Sequence, residues 1–144
     1  MAVEIRVNEA DLKRLAKAFE GGISKALNKI LDGAGQLLAE TMREKAPKRT
    51  GFLRESIRVH RGSDFVMVEP TAEYAPYVEY GTRPHLIVPV HARALRFEVE
   101  GRTVFARLVH HPGFPGRFFV RSTLEECLPK IHTIASQLLL KELS

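Results

Sequence analysis

At 144 residues the chain has the length of one domain, enough to bury about two thirds of its unfolded surface with no disulfide or metal staple. Hydrophobic residues at 44% beside 27% charged are those of an ordinary soluble globular protein; no run approaches the roughly 18 to 20 apolar residues of a membrane span, and the opening Met-Ala-Val-Glu-Ile-Arg is no secretory signal, so the chain is expected to stay where it is made. The net charge of +5 is local: seven basic and two acidic residues lie between Arg43 and Arg61, and the remaining charges cancel in sum.

Residues 2–7 alternate, with Val3, Ile5 and Val7 set against Glu4 and Arg6, a period of two that predicts a short strand or extended arm. Asn8 stands where a helix cap belongs and Asp11 adds first-turn negative charge; Leu12, Leu15, Ala16 and Phe19 then keep helical spacing up to Gly21-Gly22, which ends the helix or bends it. A second helical run from Ile23 to about Lys45 uses Leu27, Ile30, Leu31, Ala34, Leu37, Leu38 and Met42, spans roughly 33 Å, and stops before Pro47. Gly33 and Gly35 each cost such a helix about 1 kcal/mol against alanine, which predicts a close neighbouring backbone or a kink.

After Pro47 the pattern changes. Lys48 to Gly51 is a turn, Phe52 to Ser56 leads into a strand at Ile57 to His60, Gly62-Ser63-Asp64 turns, and Phe65 to Glu69 returns as its hairpin partner. Arg83 to Arg93, with Pro84 and Pro89, reads as an extended loop. Leu95 to Glu100 alternates with Leu95, Phe97 and Val99 facing in, and Thr103 to Val109 returns as a second hairpin strand. His110 to Gly116 is a turn-rich loop. The last helix is expected to be capped by Ser122 with Glu125 at the capping-box position, to present Leu124, Leu128, Ile131, Ile134, Ala135 and Leu138, and to be kinked or delayed by Pro129.

All three tyrosines, Tyr74, Tyr77 and Tyr80, fall between Glu73 and His85 at i, i+3, i+6, roughly one side of a helical turn that Pro76 opens and Gly81 closes. Tyrosine offers a large apolar body and one hydroxyl on few rotatable bonds, so the turn reads as a contact surface or as a plug at the edge of the core, with Tyr77 at least partly buried.

No constellation here supports catalysis. Phosphate-binding loops, dinucleotide fingerprints, His-Glu-x-x-His and paired Cys-x-x-Cys are absent, and the six histidines include no helical i, i+4 pair, so neither a metal nor a cofactor is expected. Ser56, His60 and Asp64 form a Ser/His/Asp grouping without a nucleophile elbow. Glu73 and Glu79 read as solvated or paired with an arginine such as Arg83. Cys127, the lone cysteine, sits by Glu125, Glu126 and Leu128 with no basic cluster to stabilise a thiolate, and reads as inert.

Five motifs in order carry a resemblance: Ala46-Pro47 through Thr50-Gly51, Leu53-Arg54 and Ser56-Ile57; Tyr74 through Thr82; Ala94 through Phe97; His111-Pro112-Gly113; and Arg117 through Arg121. Together they resemble the tail-completion, or head–tail joining, proteins of long-tailed double-stranded DNA bacteriophages and prophages, over about residues 8 to 140. The resemblance implies an α+β subunit with a long N-terminal helix and a C-terminal helix packed on a mainly antiparallel sheet. It implies a homo-oligomeric ring, commonly of six copies, in the virion neck. The ring would be assembled in the host cytoplasm between the connector or stopper and the tail-tube or tail-terminator proteins, with no active site. A ring subunit needs contact residues on several faces. The candidates are Tyr74, Tyr77, Tyr80, Arg83, His85, Ile87, His111, Phe114, Arg117 and Phe118. The basic segment offers Lys48, Arg49, Arg54, Arg58 and Arg61 to DNA passing through the ring, and supports an alternative reading as a nucleic-acid binding module.

Overall fold

The computed structural model describes residues 1–18 and 22–143. Alternating Val3 and Ile5 form strand β1 (Val3–Arg6), which pairs with β3 (Phe65–Pro70), while the other edge of β3 pairs with β2 (Ile57–Arg61). Both ladders are antiparallel, and their registers line up Val3, Val68 and Val59 across the sheet. The β2–β3 hairpin expected around Gly62 to Asp64 is therefore present, and β1 is a strand.

Helix α1 (Glu9–Ala18) starts at the expected cap, where the Ala10 N–H donates to Asn8 Oδ1 at 3.0 Å. Its expected continuation through Phe19 to Gly21, and the ending or bend there, lie outside the described residues, as does the placement of the Leu12, Leu15 and Ala16 side chains. Helix α2 (Gly22–Lys45) lies over β2 and β3 and buries Ala26, Ile30, Leu31, Ala34, Leu38, Ala39 and Met42. At Gly35 the close neighbour is side chain, not backbone: a Cβ there would sit 2.7 Å from Val66 Cγ2 and 3.3 Å from Val59 Cγ1, so the glycine lets the helix settle onto the strands. A Cβ on Gly33 would meet nothing within 4 Å, so the close approach expected at both glycines holds only at Gly35.

Helix α5 (Phe119–Leu143) packs along α2, not directly on the sheet as its main contact. It begins three residues before the expected Ser122 cap, and Pro129 lies inside it. Its buried face is Phe119, Val120, Thr123, Cys127 and Ile131, whereas Leu124, Leu128 and Ile134 are exposed. Cys127 is fully enclosed, with Sγ 3.9 Å from the Leu37 carbonyl. The fold class is α+β. Among the described residues no helix is long and apolar enough to cross a membrane.

Two short helices complete the body: α3 (Phe52–Glu55), where a helical turn replaces the expected lead-in to the strand, and α4 (Ala75–Tyr80), the expected tyrosine turn. Between α4 and α5 runs a long antiparallel ribbon. Strand β4 (Gly81–Thr82) pairs with β9 (Phe114–Pro115), β5 (His85–Ile87) with β8 (Val109–His111), and β6 (Leu95–Val99) with β7 (Arg102–Ala106). The loops expected at Arg83 to Arg93 and His110 to Gly116 are thus partly strand, because each supplies the other's ladder partner. Ten paired positions along each leg amount to about 33 Å of ladder. No residue from Gly81 to Phe118 is buried. Leu95, Phe97 and Val99 share a face as expected, but that face meets no core, and Val99 is exposed.

Candidate contact site at the root of the arm

The ribbon, hereafter the arm, leaves the body at α4. That short helix turns its Ala75, Val78 and Glu79 side inward, at i, i+3, i+4 spacing, which leaves Tyr77 and Tyr80 outward at 58% and 62% exposure and Tyr74 at 41%. Tyr77 is therefore not the partly buried anchor expected, since the small Ala75 and the carboxylate of Glu79 take the inward positions.

Glu79 is the largest departure from the sequence reading. It is neither solvated nor paired with Arg83; it is 3% exposed, and its carboxylate accepts the Val120 N–H at Oε2 (2.8 Å) and the Arg121 N–H at Oε1 (3.0 Å). The Ser122 N–H donates to the Phe118 carbonyl at 2.8 Å, which places Phe118 at the cap position of α5 and Val120 and Arg121 at the two donors that a capping side chain would serve. Phenylalanine has no acceptor to offer. Glu79 supplies it from 41 residues upstream, and its negative charge complements the helix dipole. The Phe118 N–H also donates to the Glu79 carbonyl (3.1 Å), and the Arg117 N–H to the Val78 carbonyl (2.8 Å). Gly81 (φ 80°) and Gly113 (φ 76°) let the two legs of the arm close up: a Cβ on the first would collide with the Phe114 carbonyl, on the second with the Thr82 carbonyl. A glutamate sharing one face with alanine and valine was the available sequence signal for a buried carboxylate; its partners were not readable.

Two clefts flank this root. One, of about 810 Å³, is lined by Pro47, Arg49, Leu53, Tyr74, Val78, Phe114 and Arg117. The other, of about 710 Å³, is lined by Tyr74, Tyr77, Thr82, Arg83, His85, Ile87, His111 and Phe114. Tyr74 and Phe114 line both. Eight of the ten expected contact residues are thus brought together here; Tyr80 and Phe118 are exposed outside both clefts. No carboxylate lines either cleft, and Arg49 and Arg117 have no ion pair among the described residues. His85 and His111, directly opposed in the β5–β8 ladder, stack at 4.9 Å, and the Gly113 N–H donates to His111 Nδ1 at 3.0 Å. Their separation of 26 positions gave no hint of this pairing. Phe52 stacks obliquely on Tyr74 at 6.2 Å, extending the apolar surface.

The basic segment is divided in its roles. Lys48 and Arg49 are exposed and make no ion pair among the described residues. Arg54 donates from Nε to the Ala46 carbonyl at 3.2 Å and reaches the Glu44 carbonyl, closing the C-terminal end of α2. Arg58 donates to the Glu55 and Ile57 carbonyls. Arg61 bridges to α2 through Asp32 Oδ1 (2.9 Å) and Asn28 Oδ1 (2.7 Å). At the far end of α2, Lys45 meets Glu126 at 2.7 Å, and Lys130 meets the same carboxylate; these contacts hold the Glu126 carboxyl below its usual range and push Lys45 up. Nor do the charges outside residues 43–61 cancel in place: residues 62–80 hold four carboxylates and no Lys or Arg, and residues 81–118 hold six arginines against two glutamates.

Ser56, His60 and Asp64 are not assembled. Ser56 Oγ donates to the Leu53 carbonyl (2.7 Å), His60 pairs with Glu69 (3.0 Å) and Asp64 with Arg6 (3.5 Å). Among the described residues no group of His, Cys, Asp and Glu is arranged to hold a metal.

No curated protein and no solved structure matches the chain. A family model described as "HK97-gp10_like: Bacteriophage HK97-gp10, putative tail-component" matches residues 10–81, from α1 to the first residue of the arm. This span covers half of the 144 residues and takes in the first of the five motifs and all of the second but Thr82. The chain belongs to the HK97-gp10-like family of bacteriophage tail components.

Proposed function

We propose that the protein is a non-enzymatic assembly component of the phage neck, a tail-completion or head–tail joining subunit. In this reading it forms a homo-oligomeric ring between connector and tail tube in the virion, after assembly in the host cytoplasm. The observation that carries the reading is the division of labour within the chain. The sheet β1–β3 and helices α2 to α5 supply the buried core, whereas none of the 38 residues from 81 to 118 is buried, and they end beside two clefts lined with tyrosine and phenylalanine. Such an arm gains stability only against other proteins, since an isolated two-stranded ribbon is marginal in water. A ring subunit needs faces for flanking proteins as well as for its own neighbours, and the arm is suited to the flanking proteins.

The test is electron microscopy of the purified protein mixed with tail tubes and connectors from the same phage. The expected result is density at one tube end that depends on Tyr74 and Phe114; a protein that binds neither component would sink the proposal. The nucleic-acid alternative rests on Lys48 and Arg49, which make no ion pair among the described residues, and it predicts duplex binding that falls steeply with salt and is lost in Arg49→Ala/Arg54→Ala/Arg58→Ala. It is the weaker reading because Arg54, Arg58 and Arg61 are engaged by carbonyls and Asp32 of the same chain.

A further inference from the structure

We propose that the arm is built to dock on the acidic surface of a different protein, through arginine forks set among exposed apolar side chains. The inference deepens the proposed function, because it names the chemistry of the partner that this function requires.

The composition of residues 81–118 is unlike that of the body. All six of its basic residues are arginine, although the chain contains eight lysines, and only Glu98 and Glu100 oppose them, a local net charge of +4. Arg83, Arg93, Arg96, Arg102, Arg107 and Arg117 make no ion pair among the described residues. Around them Val90 is 81% exposed, Phe105 67%, Leu86 56% and Val88 54%. Enrichment in arginine and aromatics with exclusion of lysine marks a protein interface, because the planar fork meets carboxylates in pairs and loses little freedom on binding. Four prolines, Pro84, Pro89, Pro112 and Pro115, further limit what the arm loses on docking.

A second copy of the chain is the poorer occupant on grounds of charge. Several of its 17 carboxylates are already matched: Asp32 by Arg61, Asp64 by Arg6, Glu126 by Lys45, Glu125 by Arg121, and Glu79 is buried under α5. The clefts at the arm root and the segment 43–61 present arginine and lysine, which repel an arm of the same sign. A nucleic-acid duplex would satisfy the arginines but packs poorly on Val88 and Val90, and its phosphates accept lysine readily.

The test uses the full chain at 150 mM salt with three fluorescent probes of equal charge: a peptide alternating glutamate and leucine, oligo-glutamate, and a short DNA duplex. The expected result is at least tenfold tighter binding of the glutamate–leucine peptide than of either other probe. Arg93→Ala/Arg96→Ala/Arg102→Ala/Arg107→Ala and, separately, Val90→Ser/Phe105→Ser should each weaken that binding at least tenfold. The corresponding four-lysine variant should lose several-fold despite its unchanged charge, and Arg49→Ala/Arg54→Ala/Arg58→Ala should lose little. None of the arm positions is buried, so unchanged melting is expected of the arm variants. Hydrogen exchange on the unmutated protein gives a second readout, with peptide-dependent protection confined to residues 86–108. Binding of the duplex as tightly as the peptide, sensitivity to the 43–61 variant instead of the arm variants, or protection outside the arm overturns the proposal. So does self-association that disappears in the arm variants, or the absence of any binding. If tail association persists while peptide binding fails, the arm assignment falls and the proposed function stands; the reverse result removes the proposed function alone.

Discussion

The carboxylate of Glu79 is predicted to be the most sensitive polar group in the fold, and Glu79→Gln separates its electrical role from its bulk. The wild-type side chain accepts two backbone N–H bonds at 2.8 and 3.0 Å from the first turn of a 25-residue helix. Bonds to a charged acceptor contribute roughly 1.5–3 kcal/mol each, and a charge at a helix N-terminus adds about 0.3–1 kcal/mol more. Against this stands the desolvation of a carboxylate that is 3% exposed, worth several kcal/mol, so the whole gross sum is not recovered. A net loss of about 2–4 kcal/mol is expected for Glu79→Ala. The glutamine variant keeps the volume but turns an amide NH2 against one of the two N–H donors, so it should lose about 2–3 kcal/mol. With a urea m-value of about 2 kcal/mol/M, that loss lowers the unfolding midpoint by roughly 1–1.5 M. Glu125→Gln is the control, since its exposed pairing with Arg121 should matter by less than about 0.5 kcal/mol. A Glu79→Gln midpoint within 0.25 M of wild type would refute the capping argument and reduce Glu79 to a space filler.

Further outcomes follow from other contacts. Gly33→Ala should stabilise by up to about 1 kcal/mol in thermal unfolding, because a Cβ there meets open space, whereas Gly35→Ala should destabilise by about 1 kcal/mol as it presses on Val66. Glu126 titrates lower in the folded chain than in the unfolded one, so its contribution is complete above the unfolded carboxylate value and fades as pH falls through the depressed folded value. Unfolding midpoints between pH 6 and pH 3 should therefore converge for wild type and Glu126→Gln at the acid end, and a constant gap between them would contradict this. Amide exchange in the isolated protein should be fast across residues 81–118 and slow in α2, with arm protection appearing when a partner binds.

How much of this could be read from the sequence depended on how local the cause was. Apolar spacing between Leu31 and Met42 and alternation on either side of Gly62 were enough for α2 and the β2–β3 hairpin, because both elements answer to a nearby core face. The start of α5 was misplaced at Ser122 because the cap that decides it comes from Glu79, and no spacing rule links those positions. Likewise, the face of α5 was drawn through Leu124 and Leu128, but Thr123 and Cys127 occupy the buried side against α2. The tyrosines were found as a group, while their exposure followed from Ala75 and Glu79 taking the inward side of α4. The root of the arm was the least legible element: its β4–β9 and β5–β8 ladders join residues 22 to 34 positions apart, and alternation alone did not reveal that Leu95, Phe97 and Val99 of the expected β6–β7 hairpin face no core.

The central claim, that this chain is a subunit whose work is assembly, is tested most directly by native mass measurement on tail tubes formed with and without it. The account predicts a closed oligomer of the protein, retained on the tube, with connector-bearing particles joined only when it is present. Particles that join equally well in its absence, or a protein that stays monomeric and unbound in every mixture, would contradict it.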